Sequence, residues 1–319
     1  KTLFIYGQNR TINLPGAIIG AGALRVGSGS LTVNGNLDLG ASGTIDIASS
    51  TLNLNTGAAT PIALAKTLTI SSGTLNATDS IIATSLSWSG GTITGSGTLV
   101  TPSGSTAQLS GSGQKILQNK TWLNSGTINL TDGVLFLYGY NSSNTTAISA
   151  PQLQNLSGGV INVSSRNQGP TIVSYSASNG VIGNAQLINN QGASINWTAS
   201  NFGTGYARIY NNGGVFSFDN AGSVNINALG GGPLSIANGG TTGVRTRLIS
   251  VSSTWTRMET WRFGLYYSNR RLRFNEPRDR ILGRESATVT RRPHILSSQE
   301  ETPITEHTAR KGNDLSTLK

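Results

Sequence analysis

Apolar and polar residues alternate along most of this chain in runs only four residues long. Thr127-Ile128-Asn129-Leu130 is the clearest run, followed by Val160-Ile161-Asn162-Val163, Ile195-Asn196-Trp197 and Ser223-Val224-Asn225-Ile226. A period of two places alternate side chains on opposite faces of a strand. This predicts short strands over residues 20–240, with Ile128, Leu130, Ile161, Val163, Val224 and Ile226 pointing inward. One such strand is too narrow to be stable alone, but stacked copies bury a continuous apolar stripe.

A turn phrase precedes these strands. An aliphatic residue, Asn, one or two small residues and Gly appear in Leu123-Asn124-Ser125-Gly126, and the phrase returns at Asn155 with Gly159, and at Asn190 with Gly192. It appears again at Asn212 with Gly214, and at Asn220 with Gly222. Looser copies are Gly43-Thr44-Ile45-Asp46-Ile47 and Gly73-Thr74-Leu75-Asn76-Ala77. Asn tolerates left-handed backbone and Gly favours it, so each phrase is read as a tight turn, and these Asn and Gly residues as turn-makers. Gly126, Gly159, Gly192 and Gly222 recur at a nearly even spacing that falls within the range of repeat-protein periods. Many short strands, small turn residues and almost no helix-forming runs predict an all-β protein, a parallel β-helix or β-solenoid. Asn side chains are expected to ladder from rung to rung.

Composition sharpens this picture. Hydrophobic residues are 36% and charged residues 11% of the 319. A disordered chain is poor in the first and rich in the second, whereas this one is poor in both. Charge is unevenly spread. Residues 1–243 hold eight Lys or Arg, five Asp, no Glu and no His. Residues 244–319 hold fifteen Lys or Arg, eight acidic residues and both histidines, His294 and His307. The break at Thr242–Arg245 divides the chain into a solenoid domain, 1–243, and a basic Arg-rich tail, 244–319, expected to be disordered or weakly packed. Arg and aromatics interleave over 255–292, but no nucleic-acid fold frames them. A tail translated from a shifted reading frame would also account for the sudden Arg, Glu and His. With Lys1 first and Met258 the only methionine, the chain reads as a fragment or as processed at its N-terminus. There is no Cys, which suits a large bacterial surface protein that does not rely on disulfides.

The stretch Leu86-Ser87-Trp88-Ser89-Gly90-Gly91-Thr92-Ile93-Thr94-Gly95-Ser96-Gly97-Thr98-Leu99 resembles the W-S-G-G-x-x-x-G-S-G-T unit of giant bacterial β-strand-repeat surface proteins. So does Ala107-Gln108-Leu109-Ser110-Gly111-Ser112-Gly113. Those proteins are similar to filamentous-haemagglutinin-type and autotransporter-passenger adhesins. The resemblance extends over roughly residues 20–240. It implies export to the cell surface or outside (outer-membrane-associated), a fibrous passenger and a role in adhesion. Its motif is structural, so no binding residue carries over.

Candidate chemistry is sparse. The carboxylates of the first segment are Asp38, Asp46, Asp79, Asp132 and Asp219. Asp38 and Asp46 are the pair that a turn could bring together; Asp46, Asp132 and Asp219 read as substitutes for Asn. No His stands by as a base, no Cys as a nucleophile, and no metal-binding or phosphate-binding motif appears. Thr67-Leu68-Thr69 and Thr92-Ile93-Thr94 resemble pieces of ice-binding arrays but recur too irregularly to form one. Trp88, Trp122, Trp197, Tyr138 and Tyr140 are read as filling or shielding the solenoid, with sugar stacking the alternative. The expectation is a non-catalytic structural or adhesive surface protein, with no cofactor, no metal and no catalytic residue. Its partners would be a host or neighbouring-cell surface, carbohydrate or matrix. No small-molecule substrate, nucleic acid or membrane span is expected. The alternative is a polysaccharide-binding or polysaccharide-cleaving β-helix such as a host-recognition spike.

Overall fold

The alternating runs form a three-sided parallel stack. The computed structural model describes residues 1–40, 42–63, 66–139, 149–164, 172–175, 177–178, 181–182, 184–198, 208–211, 215–226, 235–238, 244–248, 265–267 and 270–272. All the regular elements among them are strands. Two ten-stranded parallel sheets make the first and second faces, and an eight-stranded one the third, where a separate pair, Ala17–Ile19 with Asn36–Asp38, precedes it. Successive strands along the chain visit the faces in turn, so each pairs with the strand one coil later. The described residues form a parallel β-helix of ten rungs.

The W-S-G-G stretch writes most of one rung. Ser85–Trp88 lies on the first face, Gly91–Thr94 on the second and Thr98–Thr101 on the third. Glycine is needed at these corners: Gly95 has φ +101°, and a Cβ there would collide with the Ala77 backbone of the rung below.

Rung length is not constant. On the first face Leu24 pairs with Ile45, Ile45 with Leu68, and Leu68 with Leu86, so even these short rungs differ in length. The steps from Ile128 to Ile161 and from Ile161 to Ile195 are clearly longer. The repeat visible in the sequence is therefore one long rung, and the shorter upstream rung escapes a search for that phrase. The added length falls between strands, for instance between Leu135–Tyr138 and Gln152–Asn155.

Inside each strand the alternation does what it predicts. Ile128, Leu130, Ile161, Val163 and Val224 are all buried, while the side chain of Ile226 lies outside the described residues. They stack on the aliphatic residues of neighbouring rungs in one continuous core. Strands also begin earlier than residue 20, at Thr2–Ile5. The last strand of the third face, Val244–Leu248, pairs with Val215–Asn220 just past the composition break. Beyond it, only the antiparallel pair Leu265–Tyr267 and Arg270–Leu272 belongs to the described residues.

Candidate functional site

Asn124, Asn155, Asn190 and Asn220 do not make turns by adopting left-handed backbone. Among the described non-glycine residues only Ser49 and Asn119 have positive φ. Asn124, Asn155 and Asn220 instead end third-face strands, fully buried, with side chains turned inward. They form an amide ladder. Asn124 Nδ2 donates to Asn155 Oδ1 at 2.7 Å, Asn155 Nδ2 to Asn189 Oδ1 at 2.9 Å, and Asn189 Nδ2 to Asn220 Oδ1 at 2.6 Å. These amides also reach carbonyls of the neighbouring corners, as Asn155 Nδ2 does to Ser194 O at 3.0 Å. The ladder staples the corner from the third face to the first, a buried network with nearly every member satisfied.

The ladder residue in the third repeat is Asn189, not Asn190. Asn190 lies one position further on, where its N–H donates to Asn155 O and its carbonyl accepts from Ala193 N. The glycines are shifted likewise. Gly126, Gly159 and Gly222 occupy one column because a Cβ would crowd a backbone or ladder atom; a Cβ on Gly126 would come within 2.5 Å of Ser105 O. They lack the positive φ expected of them, and Ala193 takes this place in the third repeat. Gly192 is left-handed, at φ +79°, in step with Gly158 at φ +80°. Asn212 and Gly214 lie outside the described residues.

A second ladder runs on the outside of the first face. Asn162 Nδ2 donates to Asn129 Oδ1, Asn196 to Asn162 and Asn225 to Asn196, at 2.8–2.9 Å. Asp46 occupies the same column further down, paired with Arg25 at 3.1 Å. The other carboxylates are dispersed. Asp38, on the early third face, accepts from Gly40 N, so it and Asp46 are on different faces. Asp79 is buried and accepts from Thr56 N and Gly57 N. Asp132 accepts from Gly133 N, and Asp219 faces outward on the third face. Among the described residues no three His, Cys, Asp or Glu gather to hold a metal. No helix there is long and apolar enough to cross a membrane.

Two lysines have no counterpart in the sequence reading. Lys120 is buried at a corner and its Nζ donates to Ala77 O and Gly97 O, both at 2.9 Å. Burial lowers its pKa to about 8, against the opposing pull of Asp79. Lys115 Nζ donates to Gly111 O at 2.7 Å and Gly113 O at 2.9 Å; burial lowers its pKa too, with Asp132 opposing. In Lys115-Ile116-Leu117-Gln118 both phases of the alternation contain one aliphatic residue, so spacing alone does not say which side turns in.

The aromatics divide. Trp88, Trp122 and Trp197 are buried core residues, Trp88 and Trp122 meeting at 6.2 Å between ring centroids. Phe136 and Tyr138 project from the second face, stacked at 5.7 Å with ring planes 22° apart. Tyr140 lies outside the described residues. Thr67 and Thr69 stand on the first face, Thr92 and Thr94 on the second, so the two Thr-x-Thr pairs do not share an array. Outward positions of the second face run Ser30, Thr51, Thr74, Thr92, Ile116 and Phe136 in one column. The other column runs Thr32, Asn53, Asn76 and Thr94, continued in step by Gln118 and Tyr138.

These ladders and columns define a class, a three-faced parallel β-helix with amide and hydroxyl files on its outside. Comparison with protein-family models, characterised proteins and solved structures returns no match.

Proposed function

We propose that this is a non-catalytic structural or adhesive repeat protein, exported to the cell surface or outside the cell as part of a larger passenger. The supporting observation is the outer surface. Side chains that can hydrogen-bond recur from rung to rung in straight files, held by their own ladder bonds. A rigid surface with one bonding pattern repeated along it suits many weak contacts that sum through multivalency. The dispersion of Asp38, Asp46, Asp79 and Asp132, each bonded to a local partner, offers no acid–base pair for glycoside cleavage.

The test is attachment of the full-length chain, coated on beads, to bacterial and epithelial cells. Saturable attachment is expected, lost when the protein is denatured before coating. Attachment no better than that of the denatured control refutes adhesion. Release of reducing sugars from pectin or a capsular polysaccharide, abolished by Asp38→Asn or Asp46→Asn, refutes the non-catalytic part. A polysaccharide-binding reading is favoured by one observation, the stacked Phe136–Tyr138 pair on an outer face.

A further inference from the structure

We propose that the outer second face, from Thr32 to Tyr138, is a binding track for an uncharged linear polysaccharide lying along the solenoid axis. This rests on the adhesive reading and gives it a ligand.

The two columns of this face combine the absence of charge with a stacked aromatic pair. From Ser30 and Thr32 up to Phe136 and Tyr138, no outward position holds Lys, Arg, Asp or Glu. The outside of the first face carries Arg25 and Asp46 on early rungs and Ser, Thr, Asn and Gln above them, with no aromatic in its outward positions there. An acidic glycan or a phosphate polymer calls for cations, which this track does not offer. A neutral, hydroxyl-rich chain calls for paired donors and acceptors, and the lower half supplies them. Asn53 Nδ2 donates to Thr32 Oγ1 at 3.1 Å, and Asn76 Nδ2 to Asn53 Oδ1 at 3.0 Å. An amide has two N–H groups and two lone pairs on its oxygen. Asn53 spends one of each on the ladder, so one donor and one acceptor remain to meet a sugar diol, with the amide plane already fixed.

The upper half supplies a different contact. Phe136 and Tyr138 alternate with inward Leu135 and Leu137, so both rings are on the outside of a solenoid whose core is already filled. An aromatic face carries negative charge density and accepts the C–H face of a pyranose, while a phenol oxygen reaches its hydroxyls. Hydroxyl and amide files leading to an aromatic platform form one straight path. Its step is the strand spacing, about 4.8 Å, comparable with one sugar unit of an extended chain. From Thr32 to Tyr138 the track crosses six rungs, about 24 Å at that spacing.

The experiment is affinity electrophoresis of the full-length protein in native gels cast with soluble neutral glycans: mixed-linkage β-glucan, xylan and mannan. Polygalacturonate serves as the acidic comparison. Retardation by at least one neutral glycan is expected, unchanged between low and high salt because no ion pair contributes. Tyr138→Ala combined with Phe136→Ala should weaken retention about tenfold or more, and Asn76→Ala should weaken it less. Tyr138→Trp should preserve retention, which guards against a fold defect, and Gln186→Ala on the third face should leave it unchanged. No retardation by any of the three neutral glycans, retention only by polygalacturonate, loss of binding in high salt, or indifference to the double variant overturns the proposal. Cell attachment that persists without glycan retention removes the ligand assignment alone. Loss of both removes the adhesive reading as well.

Discussion

Asn155 shows how much one side chain carries. Its amide accepts from Asn124 and donates to Asn189, Gly159 O and Ser194 O, with none of it exposed to water. Asn155→Leu would leave the amides of two rungs without their partner. A buried polar group stripped of its bond costs about 1–3 kcal/mol, so the variant should lose about 2–4 kcal/mol in urea unfolding. Asn162, in the outer ladder, is half-buried, and water can replace its partners. Asn162→Ser should stay within about 0.5 kcal/mol of the parent. Equal losses for the two would mean that the inner ladder gains nothing from burial.

At the scale of the strand and its corner, Lys120 sets a pH dependence. Its folded-state pKa, about 8, lies below the ordinary 10.5, so between these values the unfolded chain binds a proton that the folded chain does not. Stability should therefore rise with pH from about 8 to about 10.5 and be flat with respect to this group on either side. Burying the ammonium costs about 3 kcal/mol at neutral pH by this relation. Thermal melts over that pH range should show the rise in the parent and lose most of it in Lys120→Met, with Lys115 contributing in the same direction. A parent that weakens across this window would show that the ammonium is stabilised at this corner.

For the whole molecule, the open ends matter most. Rungs contact only their neighbours, so a terminal rung cannot bury its apolar residues on both sides. At the first rung Leu3, in step with the buried Leu24, is left 44% exposed for this reason. At the other end the third-face sheet reaches Leu248, and the Asn-x-Gly phrase has stopped by then. We expect the tail to be dispensable for solenoid stability. Residues 1–243 contain only eight Lys or Arg against fifteen in residues 244–319. Limited trypsin digestion should cut the tail first and leave a core ending near Leu248 whose melting matches the full chain. A resistant species retaining His294 would show a folded tail and end the two-part division.

The sequence by itself determined the class of fold. Four-residue alternation, small corners and the absence of helical runs leave stacked short strands as the way to bury Ile128, Ile161 and Val224. It also named most of the ladder, through Asn124, Asn155 and Asn220. Only the tertiary structure decided phase and face. In Leu187-Ile188-Asn189-Asn190 two apolar and two amide residues sit side by side, and a slip of one residue reverses inside and outside; the register against Gln152–Asn155 chooses Asn189. Thr44-Ile45 and Thr74-Leu75 read alike, yet one lies on the first face and the other on the second. The buried lysines and the charge-free stretch of the second face were likewise illegible. Their partners come from other rungs, and because corner lengths vary from one rung to the next, no fixed spacing in the chain records which residues meet.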